Sequence, residues 1–386
     1  MKAWMEKIYG YSVTFRLFNT IAIILVVSLG LSAYGIIAFL TGVSRDQREE
    51  TQKYLDDVSE SGKAMEIPAE ILEYLSAVRA LDAAISGLGP FFPDNTREKM
   101  KDVDEGKLQA LETALPETTR IAWEPLLAFA CRYSPENPPF HFRRFRQRAR
   151  VLTALLARRK QENPAYSALP IVEMLQRQVT LIELTHRILI GKMIAVAMNK
   201  LLDQTLMNLV SANALSGDET RAILAILDRI EPCGLSLRES LEWEFQFMKQ
   251  SYFKLYRRHG FGSVMCDLVL GNPLDPYREF LANLEAFRDA RDTEEFLHKH
   301  RRNILFGIMF PNIVKAREQI NGQQARRNIL KMALLNAVGT PKELPDPFNN
   351  GRLATLTING KEIRYSVGPN LKDDKGTGDD VRFDSN

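Results

Sequence analysis

Cysteine and histidine are scarce in this chain. Three cysteines, Cys131, Cys233 and Cys266, are spread over 386 residues. None lies in a C-x-x-C pair, which excludes zinc-ribbon and thioredoxin-like sites on spacing. Isolated cysteines of this kind read as small buried hydrophobes. Five histidines leave few candidates for acid–base or metal chemistry. No H-E-x-x-H, G-x-S-x-G, Walker A or G-x-G-x-x-G sequence occurs, so protease, hydrolase, nucleotide and dinucleotide readings have no support. Excess charge of one sign is missing as well. A net charge of +3 from 51 basic and 48 acidic residues is too small for a molecule that grips a polyanion, so nucleic acid is not an expected partner. No motif identifies a small-molecule substrate.

What is present has globular proportions. Apolar residues at 45% and charged residues at 26% exclude both wholesale disorder and a polytopic membrane protein. The length suggests roughly two or three structural units. One apolar run stands out. From Leu17 to Val43 the only strongly polar side chain is Asn19, and Ile21 to Leu40 carries no charge. About 20 apolar residues at a helical rise of about 1.5 Å match a hydrocarbon core of about 30 Å. Trp4, Tyr9, Tyr11 and Phe15 precede the run as interfacial residues. A cleaved signal peptide is the rival reading, but the run exceeds a usual h-region, and Leu31-Ser32-Ala33 is a poor cleavage site. Residues 17–43 are therefore expected to be an uncleaved signal anchor that contacts the lipid bilayer. Lys2, Lys7 and Arg16 on one side are matched by Arg45, Arg48 and Lys53 on the other, and the free amino terminus tips the orientation towards N-inside.

From Ser44 to about Val338 apolar positions recur at spacings of three and four, with breaks at proline or glycine. This predicts consecutive helices in an all-α bundle. Pro68 opens a helix carrying Ile71, Leu72, Leu75, Val78 and Leu81, which Gly87, Gly89 and Pro90 end, and Pro135, Pro138 and Pro139 mark a loop. Ser236-Leu237-Arg238-Glu239 and Ser216-Gly217-Asp218-Glu219 have the capping-box pattern. The segment Ile171 to about Val210 is long and apolar, but Glu183, His186, Arg187, Lys192 and Lys200 interrupt it. It reads as a helix buried at the centre of the bundle and not as a second span. Ile304 to Val314 is too short to span, and Pro311 breaks it.

After Gly339 the composition shifts to Pro, Gly, Asn and Asp. Leu353 to Ile358 and Lys361 to Val367 flank Asn359-Gly360, the pattern of a type I′ hairpin, with Ile363, Tyr365 and Val367 on one face. Asn370, Asp373, Asp374, Asp379 and Asp380 follow around Gly376 and Gly378. Clustered carboxylates on a loop suit a hard cation such as calcium; the alternative is a solvated acidic tail. The order Asp346-Pro347-Phe348-Asn349-Asn350-Gly351, then Tyr365-Ser366-Val367-Gly368-Pro369-Asn370, then Asp379-Asp380-Val381 resembles the C-terminal end of the major pseudopilins of type II secretion. It is also similar to the tail of other bacterial membrane proteins with that ending. The resemblance covers about the last 45 residues and implies a β-hairpin followed by a calcium-binding loop, with a metal role for Asn370, Asp373, Asp374, Asp379 and Asp380. It further implies a bacterial inner-membrane setting, with the bulk of the chain extracytoplasmic. The N-terminus departs from that family: nothing before Phe18 supplies its basic leader, processing glycine or helix glutamate. Thr180-Leu181-Ile182-Glu183-Leu184 spells the family's anchor motif inside the chain, with Gln178-Val179 where the glycine belongs, and reads as coincidence.

Two further constellations carry candidate chemistry. Glu183-x-x-His186 and Glu295-x-x-His298 have the spacing that places a carboxylate and an imidazole on one helix face in di-iron bundles, with Glu173, Glu242 and Glu244 as the remaining donors available. They define the alternative of a membrane-bound iron or manganese enzyme. The stretch containing Arg143, Arg144, Arg146, Arg148, Arg150, Arg158, Arg159 and Lys160 has no acid and carries Phe142, Phe145, Leu152, Leu155 and Leu156 at helical spacing. It reads either as a surface for anionic lipid or an acidic partner, or as a bundle helix whose arginines pair with acids elsewhere. Together these readings predict an anchor in 1–43, an all-α domain in 44–338 and a hairpin with acidic loop in 339–386. The expected role is structural or interactive within the envelope, with a protein partner and no catalytic residues.

Overall fold

A computed structural model describes residues 68–89, 96–132, 142–230, 236–246, 249, 274–284, 290–301, 313–358 and 361–383. Among them the chain is mainly helical, with a two-stranded antiparallel hairpin near the C-terminus. Residues 17–43, the loop at 133–140, Cys233, Cys266 and Asn359-Gly360 lie outside the described residues. No described helix is long and apolar enough to cross a membrane. The described residues fall into two compact units. The larger takes those within 67–244, 284–293 and 312–386, and the smaller those within 245–283 and 294–311.

The larger unit begins with α1 (Ala69–Gly87), whose Ile71, Tyr74, Val78, Leu81 and Ile85 recur at helical spacing and are all buried. A short α2 (Thr96–Lys101) leads to α3 (Glu105–Arg120), which Asp104 caps by accepting the Gly106 N–H at 2.9 Å. Then follow α4 (Trp123–Arg132), α5 (Phe142–Glu162), α6 (Leu169–Thr185), α7 (Leu189–Ser211) and α8 (Gly217–Ile230). Helix α6 is the centre: α3, α4, α5, α7 and α8 all pack on it, and it is buried from Met174 through Thr185 without a break. A helix enclosed on every side has no solvent face, which is why its sequence lacks the polar stripe of an amphipathic helix. The last helix, α11 (Ile313–Ala337), lies against α7 and α8.

The long apolar segment is therefore two helices and not one. Helix α6 ends at His186, whose φ of −115° and ψ of 60° leave the helical region, and α7 starts after the extended Ile188. Neither proline nor glycine forces this break. It is held from outside: Glu244 accepts the Leu189 N–H at 3.2 Å, capping α7 where Ile188 cannot. Arg187 donates to the Leu184 carbonyl at 2.9 Å and to the Ala130 and Cys131 carbonyls, so one cation serves the C-terminal ends of α4 and α6. Its guanidinium lies over Trp243, 4.3 Å from the ring centroid. Gly191 permits the reversal, because a Cβ there would sit 2.1 Å from the His186 carbonyl oxygen. Cys131 is exposed at the end of α4, contrary to the expectation of a buried hydrophobe, because the helix turns its apolar face elsewhere.

Both expected capping residues are used, in different ways. Ser236 and Glu239 form the full reciprocal box, Ser236 N–H to the Glu239 carboxylate at 2.7 Å and Glu239 N–H to the Ser236 hydroxyl at 3.2 Å. Helical residues follow through 246. Ser216 accepts the Glu219 N–H at 3.2 Å, but the Glu219 carboxylate turns to Lys160 and to the Ala168 N–H, each at 2.6 Å. It joins the helix start to two other segments instead of closing its own box.

Polar residues recur at spacings of three, four or seven along one seam: Gln176, Thr180 and Glu183 on α6, Lys192, Asn199 and Asp203 on α7, and Gln323 and Arg327 on α11. Arg327 joins the three helices, forming an ion pair with Asp203 at 2.8 Å and donating to Asp203 Oδ2 at 3.0 Å, to Gln176 at 3.1 Å and to Asn199 at 2.7 Å.

The hairpin consists of β1 (Ala354–Ile358) and β2 (Lys361–Tyr365), in register Ala354 to Tyr365 and Leu356 to Ile363. It is not a separate body. Leu353 and Phe383 belong to the same core as the helices, Asn328 of α11 donates to the Pro345 carbonyl at 2.8 Å, and β2 packs on α11. The change of character at residue 339 marks a change of secondary structure within one unit.

The smaller unit contains α9 (Leu274–Ala282) and the later residues of α10 (Ala290–Lys299). Its described core is aromatic. Phe245 stacks on Tyr277 at 5.6 Å, Tyr277 meets Phe280 edge-on at 5.7 Å, and Phe280 lies 6.2 Å from Phe296. Lys299 and His300 both reach Glu279, and the Lys299 contact foremost holds that carboxyl below its ordinary range.

Two substitutions test the α6–α7 reversal. Gly191→Ala should lower stability by about 1–3 kcal/mol through forced displacement of the His186 carbonyl, whereas Gly87→Ala, with open space around it, should be neutral or stabilising by up to about 1 kcal/mol. Urea titration of both variants reads the difference. Burial raises the Glu244 carboxyl above its usual range, so the folded protein favours its protonated form. Any stability this group contributes is complete below the unfolded carboxylate value of about 4.3 and is lost as pH rises through the higher folded value. Glu244→Gln should therefore gain stability relative to the parent at about pH 8 and lose that advantage near pH 4, read from thermal midpoints.

Candidate functional site

The C-terminal loop is built on a buried carboxylate. Asp346 is fully buried and accepts the Ser366 hydroxyl at 2.8 Å, the Phe348 N–H at 3.0 Å and the Val367 N–H at 3.2 Å. These bonds fix the end of β2 against the turn that precedes β1. Ser366 and Val381 then pair through both backbone bonds at 2.9 Å, which closes the intervening residues into a loop. At Gly368 the chain has a φ of +67°, and a Cβ would lie 2.3 Å from the Asp379 carbonyl oxygen. Only glycine lets the two ends of the loop approach so closely.

Inside the loop, Asp374, Asp379 and Asp380 each offer a carboxylate oxygen, and these oxygens lie within 4.8 Å of one another. Among the described residues no lysine or arginine forms an ion pair with any of the three. Asp380 Oδ2 accepts the Gly376 N–H at 2.8 Å, while its Oδ1 is buried with no hydrogen-bond partner among the described residues. Burial foremost, with Asp374 and Asp373 adding to it, raises the Asp380 carboxyl above its ordinary range. Three negative groups held together without a countercharge, one of them with an unused buried oxygen, fit a hard dication that binds through oxygen.

The five residues expected to act together do not all do so. Asn370 lies beside the three carboxylates but meets them with its amide nitrogen, at 3.1 Å from Asp374 and also on Asp379, while its oxygen accepts the Lys372 N–H at 2.6 Å. It acts as a donor here and supplies no oxygen. Asp373 is drawn away: it accepts the Tyr365 hydroxyl at 2.7 Å and the Lys375 N–H at 2.8 Å. The Tyr365 bond foremost lowers the Asp373 carboxyl, and burial pushes the Tyr365 hydroxyl up to about 12. The spacing of acids along the sequence did not reveal that β2 presents a hydroxyl to one of them.

The Glu-x-x-His pairs have other surroundings. Glu183 is bonded to Lys192 at 3.0 Å, and His186 lies past the end of α6 with Nδ1 3.1 Å from the Thr185 hydroxyl. The continuous helix face that the i, i+3 argument needs ends before His186. Glu295 and His298 are exposed on α10. The additional donors are engaged as well: Glu173 by Arg177 and Arg229, Glu242 by Arg238, and Glu244 by α7. Among the described residues, Asp374, Asp379 and Asp380 are the one group of three metal-capable side chains.

The basic helix is α5, and its described cations largely turn inward. Arg148 grips Asp82 of α1 at 2.5 and 2.9 Å, both side chains being buried. Arg159 reaches Glu105, Glu112 and Glu162, Arg158 reaches Glu105 and Glu162, and Lys160 reaches Glu219. Arg144, Arg148, Arg158 and Arg159 pair with acids on other helices, as the second of the two sequence readings has it, while Arg146 is exposed.

No protein-family model matches the chain, no curated protein matches it, and no solved structure matches it.

Removing one partner of the buried pair should be costly. Asp82→Ala leaves Arg148 charged and buried, with an expected loss of about 3–5 kcal/mol in urea titration. Arg120→Ala, which breaks an exposed pair with Glu73, should cost less than about 1 kcal/mol.

Proposed function

We propose that this chain is a single-pass envelope protein. Residues 17–43 anchor it in a bacterial inner membrane, and its helical domain and C-terminal loop serve assembly or interaction with another protein on the extracytoplasmic side. A calcium ion held by Asp374, Asp379 and Asp380 stabilises the loop. The observation that carries this reading is the convergence of those three carboxylates, which no lysine or arginine among the described residues pairs. The anchor rests on the uncharged apolar run from Ile21 to Leu40. The extracytoplasmic setting agrees with the ion, since weak loop sites need the millimolar calcium found outside cells.

The metal's part is structural. It offsets the mutual repulsion of carboxylates that the Ser366–Val381 pairing and the close approach at Gly368 force together. Asp346 lies at the base of the loop, so order in the loop is passed to the hairpin and, through Asn328, to α11.

Calcium at millimolar concentration should raise the thermal midpoint of the full chain, and chelation should reverse the rise. Asp379→Asn and Asp380→Asn should each remove most of the calcium-dependent shift. Without calcium they should match or exceed the parent, because less charge is then held in the loop. An equal calcium response in parent and both variants would rule out this site. The anchor is tested separately with C-terminal reporters that are active on one side of the membrane only. Activity of the extracytoplasmic reporter is the expected result, and activity of the cytoplasmic one alone would overturn the orientation.

A further inference from the structure

The polar seam between α6, α7 and α11 lines a partly open cavity of about 110 Å³. Positions at this spacing in a bundle ordinarily hold aliphatic side chains. Here they hold two ion pairs, Glu183 with Lys192 at 3.0 Å and Asp203 with Arg327 at 2.8 Å. Well-packed hydrophobic residues would stabilise the same seam at least as well as buried charges do. Stability therefore does not account for its chemistry, and departures of this kind from local rules concentrate at binding sites.

One side chain shows what the cavity accepts. Gln323 is buried and lines the cavity. Its amide nitrogen donates to Asp203 at 2.5 Å, which fixes the orientation of the group, since the reverse would set two oxygens against each other. The Gln323 carbonyl oxygen is then left buried with no hydrogen-bond partner among the described residues. An acceptor in that state calls for a donor from outside the chain. Among the described seam residues two acids stand beside two bases, so a ligand bringing net charge would meet no surplus of the opposite sign. An apolar cavity of about 150 Å³ takes benzene, which scales the present one to roughly four or five non-hydrogen atoms.

We infer that the cavity is a binding site for a small uncharged carboxamide or urea-type molecule, with an N–H of the ligand donated to the Gln323 carbonyl oxygen. The neighbouring amides of Gln176, Asn199 and Gln324 give the site the mixed donor and acceptor character that such a molecule matches. This inference is independent of calcium and of membrane orientation.

The test uses the full chain in detergent with a chelator present, and acetamide as the probe. Saturation-transfer NMR should show magnetisation passing to the acetamide methyl group, saturating in the millimolar range that so small a ligand allows. Acetate and methylammonium should show none. Gln323→Met removes the acceptor at similar volume and should weaken acetamide binding by at least about ten-fold, the scale expected for losing one buried hydrogen bond. Should that variant fail to fold, Val196→Leu narrows the same cavity without touching a polar group and should abolish the transfer. No transfer to acetamide, as for a cavity that holds water alone, would overturn the inference. So would equal transfer to acetate, or transfer unchanged in a folded variant.

Discussion

The guanidinium of Arg327 is 2% exposed, and a buried cation is tolerated only when acceptors inside the protein replace the water it has lost. Asp203 and Asn199 of α7 and Gln176 of α6 supply them. This requirement dictates how the bundle closes. Helix α11 begins more than a hundred residues after α7 ends, yet it must lie against α6 and α7 at the turn that carries Arg327. The close of the chain follows from the same placement, since α11 carries Asn328, which holds Pro345, and then leads into the hairpin.

Elsewhere in the larger unit charge is managed in the same way. Helix α5 brings many arginines into a bundle, and they are accommodated because α1, α3 and α8 present Asp82, Glu105, Glu112 and Glu219 where they arrive. Pairs at the rim, such as Arg120 with Glu73, are solvated and contribute little. Buried pairs such as Arg148 with Asp82 act mainly as constraints, because a misplaced helix would strand a charge in the core. The helices therefore have few alternative arrangements that satisfy every buried group.

The acidic loop inverts this pattern. Asp346 at its base is fully satisfied, and the loop ends are joined by backbone bonds at Ser366 and Val381. At the tip three carboxylates converge, and among the described residues no cation forms an ion pair with them. The loop thus differs from the bundle, where buried charges meet partners on other helices. The polar seam is the second departure, with an open acceptor at Gln323 where the surrounding groups are paired.

Local sequence was enough to read the helical class from periodicity, the start of α1 from Pro68, the hairpin around residues 354–365 from its Asn-Gly turn and the Ser236 capping box from its spacing, because these depend on neighbours within a few residues. The arginines of α5 were legible as a bundle face, though their partners were not. Four features lay beyond the sequence: the break of the long apolar segment at His186, the exposure of Cys131, the diversion of Asp373 to Tyr365 and of Glu219 to Lys160, and the assembly of the seam around Arg327. For two of these the deciding partner lies far along the chain, Glu244 for the α6–α7 break and Asp203 for Arg327, 55 and 124 positions away. Local sequence determines which conformations a segment prefers. Which of them survives, and which charged groups meet, is decided by the burial of groups that must find a partner once water is gone.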